Sequence, residues 1–262
     1  MGTQFFKYAI ATGTASVALL TAAGEASAFT FTTNFEGAGG KEDVFLQSVI
    51  LESGEIVRDF SFITSASIVS NDTYTGGNTG AASADKGDKA TTGLAKENVS
   101  AEEIAANLGT NNLNNIIDTE DKGSFRIDLN FSKAMDNLLI WERGMNSDLG
   151  IQALSAEGKL IGNYLKISRD SWTDAGFSID TTEIGKAQKV GSFGVNLMKD
   201  LGVSSPVSSV RFFSESSFNG PDWKFVGTDA ERPSEDVPEP GLVLGLSLLS
   251  GAIVYRRRQT QS

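Results

Sequence analysis

The sequence predicts a mainly β fold: an antiparallel β-sandwich or jelly-roll-like domain with one short helix in an insertion and an apolar helix at each end. Three observations predict it. Short runs rich in Phe, Ile, Val, Thr and Trp recur through residues 29–229, with Gly, Asn, Asp and Ser clusters between them. Strand-like and helix-like runs do not alternate, which argues against a parallel nucleotide-binding sheet. There is no cysteine, so the domain has to be held by its core alone, and 40% hydrophobic residues in a chain of 262 suffice for one.

The first strand is announced by alternation, with Phe29, Phe31 and Phe35 on one face and Thr30, Thr32 and Asn34 on the other. Residues 44–51 and 59–69 continue in the same composition. The stretch 71–123 then breaks the rhythm. It opens on Gly76-Gly77-Asn78-Thr79-Gly80, which lacks the spacing and the lysine of a phosphate loop. Within it, Ser100-Ala101-Glu102-Glu103 is a capping box, Ile104 and Leu108 share a face, and Gly109 stands where a left-handed C-cap belongs. A helix near 101–108 follows. An insertion of this length is either functional or poorly ordered, and its small polar residues favour partly disordered cover over a sheet edge. Residues 111–115 (Asn-Asn-Leu-Asn-Asn) read as turn chemistry. Further strands are expected at 125–131, 137–143, 150–154, 159–168, 177–182, 189–196, 207–214 and 223–228.

Two hairpins hold the candidate site residues. In the first, Trp141-Glu142-Arg143-Gly144-Met145-Asn146-Ser147-Asp148, the plain expectation is that Glu142 and Arg143 face outward or pair across the sheet. Asn146 and Asp148 then build the turn. The alternative makes Glu142, Asn146 and Asp148 oxygen donors to calcium, although their spacing is not that of an EF-hand loop. Glu142 and Asp148 are also the carboxylate pair that a glycosidase would need, and that chemistry requires no histidine. In the second hairpin, Asn219-Gly220-Pro221-Asp222-Trp223, Asp222 is expected to cap the turn and Trp223 to enter the core. Trp141, Trp172 and Tyr164 are the rings expected to stack on sugar faces if exposed.

Charge and composition exclude more than they assign. The chain carries −11, but residues 29–240 hold 18 basic against 32 acidic residues, a net of −14. Such a body repels a phosphate backbone, so no nucleic-acid partner is expected. With no histidine there is no Ser-His-Asp or Cys-His machinery and no imidazole zinc site. No catalytic residue is assigned, no enzyme is expected, and calcium is the one cofactor the oxygen donors would suit.

The ends are more specific. Lys7, the uncharged run Ala9–Ala23 and the small-x-small site Ala26-Ser27-Ala28 make 1–28 a signal peptide cut after Ala28 by signal peptidase. At the other end, residues 230–236 form a polar linker and Val237-Pro238-Glu239-Pro240 an extended peptide. Residues 241–255 are 15 uncharged positions, followed by Arg256, Arg257 and Arg258. A full span takes about 20 apolar residues, so this transmembrane helix is short and relies on snorkelling arginine stems. Those arginines mark its cytoplasmic side.

Pro-Glu-Pro, a short apolar run and terminal arginines, with a signal peptide ahead, resemble the PEP-CTERM sorting signal of Gram-negative bacteria. The resemblance implies that exosortase, a membrane-embedded cysteine protease, recognises Pro238, Glu239 and Pro240 within a signal at 237–258. Residues 241–255 would serve as the transient membrane anchor and Arg256, Arg257 and Arg258 as the stop. The Phe-rich first strand, the Trp141-Glu142-Arg143-Gly144 hairpin and Gly220-Pro221-Asp222-Trp223-Lys224 are similar to the body of the exosortase-dependent surface proteins. That resemblance implies an exported cell-surface or extracellular-matrix protein with a structural, non-catalytic β-domain in a setting of exopolysaccharide and biofilm. A polysaccharide-binding module is the alternative and a glycoside hydrolase the third.

Overall fold

The computed structural model describes residues 29–77, 80–181 and 185–228. The expected signal segment with Ala26 and Ala28, the linker 230–236 and the sorting tail with Pro238, Glu239, Pro240, Arg256, Arg257 and Arg258 lie outside the described residues. In chain order the strands are β1 (Phe31–Glu36), β2 (Phe45–Leu51), β3 (Ile56–Val57), β4 (Ile63–Asn71) and β5 (Ala82–Lys86). Helix α1 (Ala101–Leu108) precedes β6 (Asn115–Thr119), β7 (Phe125–Met135), β8 (Asn137–Arg143), β9 (Leu149–Leu154) and β10 (Leu160–Ile167). Then come β11 (Thr173–Ile179), β12 (Gln188–Asn196), the single turn α2 (Leu197–Asp200), β13 (Val207–Ser214) and β14 (Trp223–Thr228). The fold is mainly β, as expected. None of the helices among the described residues is long and apolar enough to cross a membrane.

The strands form three antiparallel sheets, ordered β1-β2-β3, β10-β9-β13-β7-β4 and β11-β12-β8-β14-β6-β5. The last of these has an apolar core on each face. Leu138 and Ile140 of β8 join Ile127, Leu129, Ile151 and Phe212 of the five-stranded sheet. Leu139 and Trp141, pointing the other way, join Phe31 and Val49 of the three-stranded sheet. Every residue of β8 is therefore buried, which is why its sequence runs apolar without alternation. Trp141 lies edge-on to Phe31 at 5.4 Å and donates its indole N–H to Thr33 Oγ1 at 3.0 Å. That bond satisfies a polar group that burial would otherwise strand.

The segment 71–123 departs from the expectation of a partly disordered cover. It supplies β5 and β6 to the edge of the six-stranded sheet, and α1 sends Ile104 and Leu108 into the larger core. Its polar residues are the reason it folds. Asn107, Asn112, Asn114 and Asn115 are all buried. Asn107 donates to the carbonyls of Asp85 and Ile116, at 3.2 and 2.5 Å. Asn112 accepts from the amides of Val44 and Asn114, at 3.1 and 3.0 Å, and Asn114 donates to the Glu42 carbonyl. Buried amides here tie the helix and the 111–115 turn to backbone groups of neighbouring segments.

The capping box forms as read. Ser100 Oγ accepts from the Glu103 amide at 3.3 Å, and Glu103 Oε2 accepts from the Ser100 amide at 2.8 Å. Gly109 differs, with φ at −72° rather than left-handed. It is needed for space, since a Cβ there would meet the Ile63 carbonyl oxygen at 2.7 Å. The helix end is closed from another strand instead: buried Lys224 of β14 donates to the Leu108 carbonyl at 2.8 Å.

Candidate functional site: an acidic cavity at one end of the sheets

A cavity of about 470 Å³ opens where the β6–β7, β8–β9 and β13–β14 connections meet, with Tyr74, Glu97 and Gln188 completing its wall. Its position follows from local chain geometry. Gly220, with φ at +52°, sits against the Thr119 carbonyl where no Cβ fits. Ser147 Oγ donates to the carbonyls of Asn219 and Gly220 at 2.7 and 3.2 Å, tying the β8–β9 loop to the β13–β14 loop. Trp172 holds that loop from below, its indole N–H 2.9 Å from the Ser147 carbonyl.

The floor is an ion cluster. Arg143, fully buried, places Nη2 at 2.8 Å from Asp222 Oδ2 and 3.3 Å from Asp118 Oδ2. Asp222 Oδ1 also accepts the Thr119 amide at 3.2 Å. Burial drives the Asp222 carboxyl well above the usual range, and neighbouring Asp118 adds to this against the pull of Arg143. Two carboxyls around one buried guanidinium thus oppose each other's ionisation. Burial likewise pushes Asp85 to about 6, with Asp118 adding to it. On the wall, Glu120 is pushed to about 7, first by burial and then by Asp118, Glu97 and Asp121. The cavity is therefore rich in carboxyls and amides, and Arg143, the one cation among its described lining residues, is already held by two carboxylates. It suits a polar ligand that brings hydrogen-bond donors and positive charge.

The predicted residues scatter around this site. Arg143 does pair across the sheet, but in the interior rather than outward. Glu142 points to the opposite face of β8, into the larger core, and is also fully buried. Neither of its oxygens has a hydrogen-bond partner within range. Burial raises it to about 8. Asp148 is turned away and held by Arg169 Nε at 3.1 Å and Lys166 Nζ at 2.8 Å. Burial opposes its charge, but Arg169 and Lys166 prevail and hold it at about 2. Of Glu142, Asn146 and Asp148, only Asn146 lines the cavity. The calcium set Glu142, Asn146 and Asp148 is thus not brought together, because alternate residues of an extended strand point to opposite faces and the loop then reverses. Among the described residues no group of three carboxylates, histidines or cysteines is arranged to hold a metal.

Two more expectations are corrected. Asp222 does not cap its turn; it lies in the cavity floor, because the strand begins one residue later and carries it inward beside Arg143. Trp141 and Trp172 are buried, so neither ring is free to stack on a sugar, whereas Tyr164 is 41% exposed. Trp223 is in the core, as read. The acids the sequence reading passed over are Asp85, Asp118, Glu120 and Asp121. For the last three the signal was Ile116-Ile117-Asp118-Thr119-Glu120-Asp121, an apolar strand running straight into an acidic turn. The chain matches no model of a known protein family, no curated protein and no solved structure.

Proposed function

We propose that this chain is an exported cell-surface or extracellular-matrix protein whose tail is sorted by exosortase and whose β body is non-catalytic. The order of the sequence carries the reading: a cleavable signal ending at Ala28, a β body, then Pro238-Glu239-Pro240, an uncharged run and three arginines. The jelly-roll-like sandwich belongs to the same proposal, supported by the two larger antiparallel sheets facing one another across a shared core. The test replaces Pro238, Glu239 and Pro240 with alanine in a Gram-negative host that has an exosortase. An unprocessed precursor retained in the membrane fraction is expected. Processing and release at the unaltered level would overturn the sorting role.

The cavity favours a second reading, that the body binds a saccharide. Its volume lies in the range of small-ligand sites, and Asn146, Gln188 and Asn219 offer amides to hydroxyl groups beside the Tyr74 ring. Glycan profiling of the full chain tests this, and binding lost on altering Asn146 is the expected result.

A further inference from the structure

We infer that the cavity takes a sugar bearing a free amine, a glucosamine-type residue rather than a neutral or N-acetylated one; this rests on the saccharide reading above. The charge of the cavity carries the choice. Glu97, Asp118, Glu120, Asp121 and Asp222 line it, while Arg143 is held at the floor by Asp118 and Asp222. A neutral sugar leaves those carboxyls crowded against one another, whereas an ammonium group offsets their repulsion.

A second observation points to a ligand independently of charge. Thr119, 3% exposed, lines the cavity between Asp118 and Glu120, and its hydroxyl meets no hydrogen-bond partner. A buried hydroxyl in that condition costs about 1–3 kcal/mol, and a ligand hydroxyl would satisfy it. The amides of Asn146, Gln188 and Asn219 suit hydroxyls as well, which favours an amino sugar over a simple polyamine. Glu120, pushed to about 7 by burial and its acidic neighbours, would release its proton when an ammonium group arrives.

The test is calorimetric titration of the full chain near neutral pH with the glucosamine disaccharide and, separately, its di-N-acetyl form. A preference of about tenfold or more for the free amine is expected, a factor worth about 1.4 kcal/mol. It should weaken with added salt and give a heat that changes with the buffer as protons are released. Glu120→Gln should erase most of the preference. Thr119→Val should weaken both disaccharides, and Glu157→Gln, on the distant β9–β10 turn, neither. Equal affinity for the two disaccharides would overturn the inference while leaving the saccharide reading standing. No binding of either, by a chain shown to be folded from its thermal transition, would overturn both.

Discussion

Glu142 shows how one residue can be physically costly where a sequence reading finds it ordinary. In an extended strand beside Arg143 it looks like half of a surface pair. The two instead occupy opposite faces of a sheet that is covered on both sides, so the guanidinium cannot reach it. Its carboxyl, raised to about 8, is protonated at neutral pH. Together with Asp85, raised to about 6, it binds protons more tightly folded than unfolded. Their stabilising contribution is complete below the ordinary carboxyl range and is lost as pH rises through about 6 to 8. Lys224, lowered to about 7 by burial alone, has the opposite sense: the folded state sheds its proton first, so stability is regained between about 7 and 10.5. Glu142→Gln keeps the protonated shape and removes the charge. It should raise the melting temperature at about pH 8 by about 2–4 °C, about 1 kcal/mol for a domain of this size, and leave it nearly unchanged at about pH 5. A variant that melts lower at both pH values would show that the carboxyl does something an amide cannot.

At the scale of elements, α1 decides how segment 71–123 is understood. The capping box and the Ile104–Leu108 pair made the helix legible, because caps and periodicity are local. Its role was not legible, since closing the side of the larger core depends on β4, β5 and β6 arriving from elsewhere. Ser100→Ala should cost about 1 kcal/mol, read from chemical denaturation. A loss near zero would mean that Lys224 and the core contacts fix the helix without its cap. The same limit explains the asparagines. Asn-rich sequence has the composition of a turn or a disordered loop, and only the tertiary fold shows these amides buried against backbone groups of β5, β6 and the turn before β2. The strands themselves were the most legible feature, with β1, β2, β4 and β7 to β14 each overlapping an expected run. Two-residue β3 and the alanine-rich β5 carry too weak a pattern to be read, and β6 was hidden in what looked like insertion.

At the scale of the whole molecule, the acidic balance resolves into two populations. Asp148, Asp128 and Asp174 are paired with Lys or Arg, and of these the exposed Asp174–Lys189 pair is of the kind that contributes little. The other population gathers at the cavity, where Asp118 and Asp222 share one guanidinium. Clusters of that kind cost stability and persist where a site needs them. No spacing rule could have placed Asp85, Asp118, Arg143 and Asp222 together, because they come from β5, β6, β8 and the turn before β14. In the proposed route the charges at the two ends of the chain act separately, through the membrane. Intact-mass analysis of the protein recovered outside the cells of an exosortase-carrying Gram-negative host tests the proposed route most directly. The account predicts a species that begins at Phe29 and lacks Arg256, Arg257 and Arg258; a full chain of 262 residues confined to the cytoplasm would contradict it.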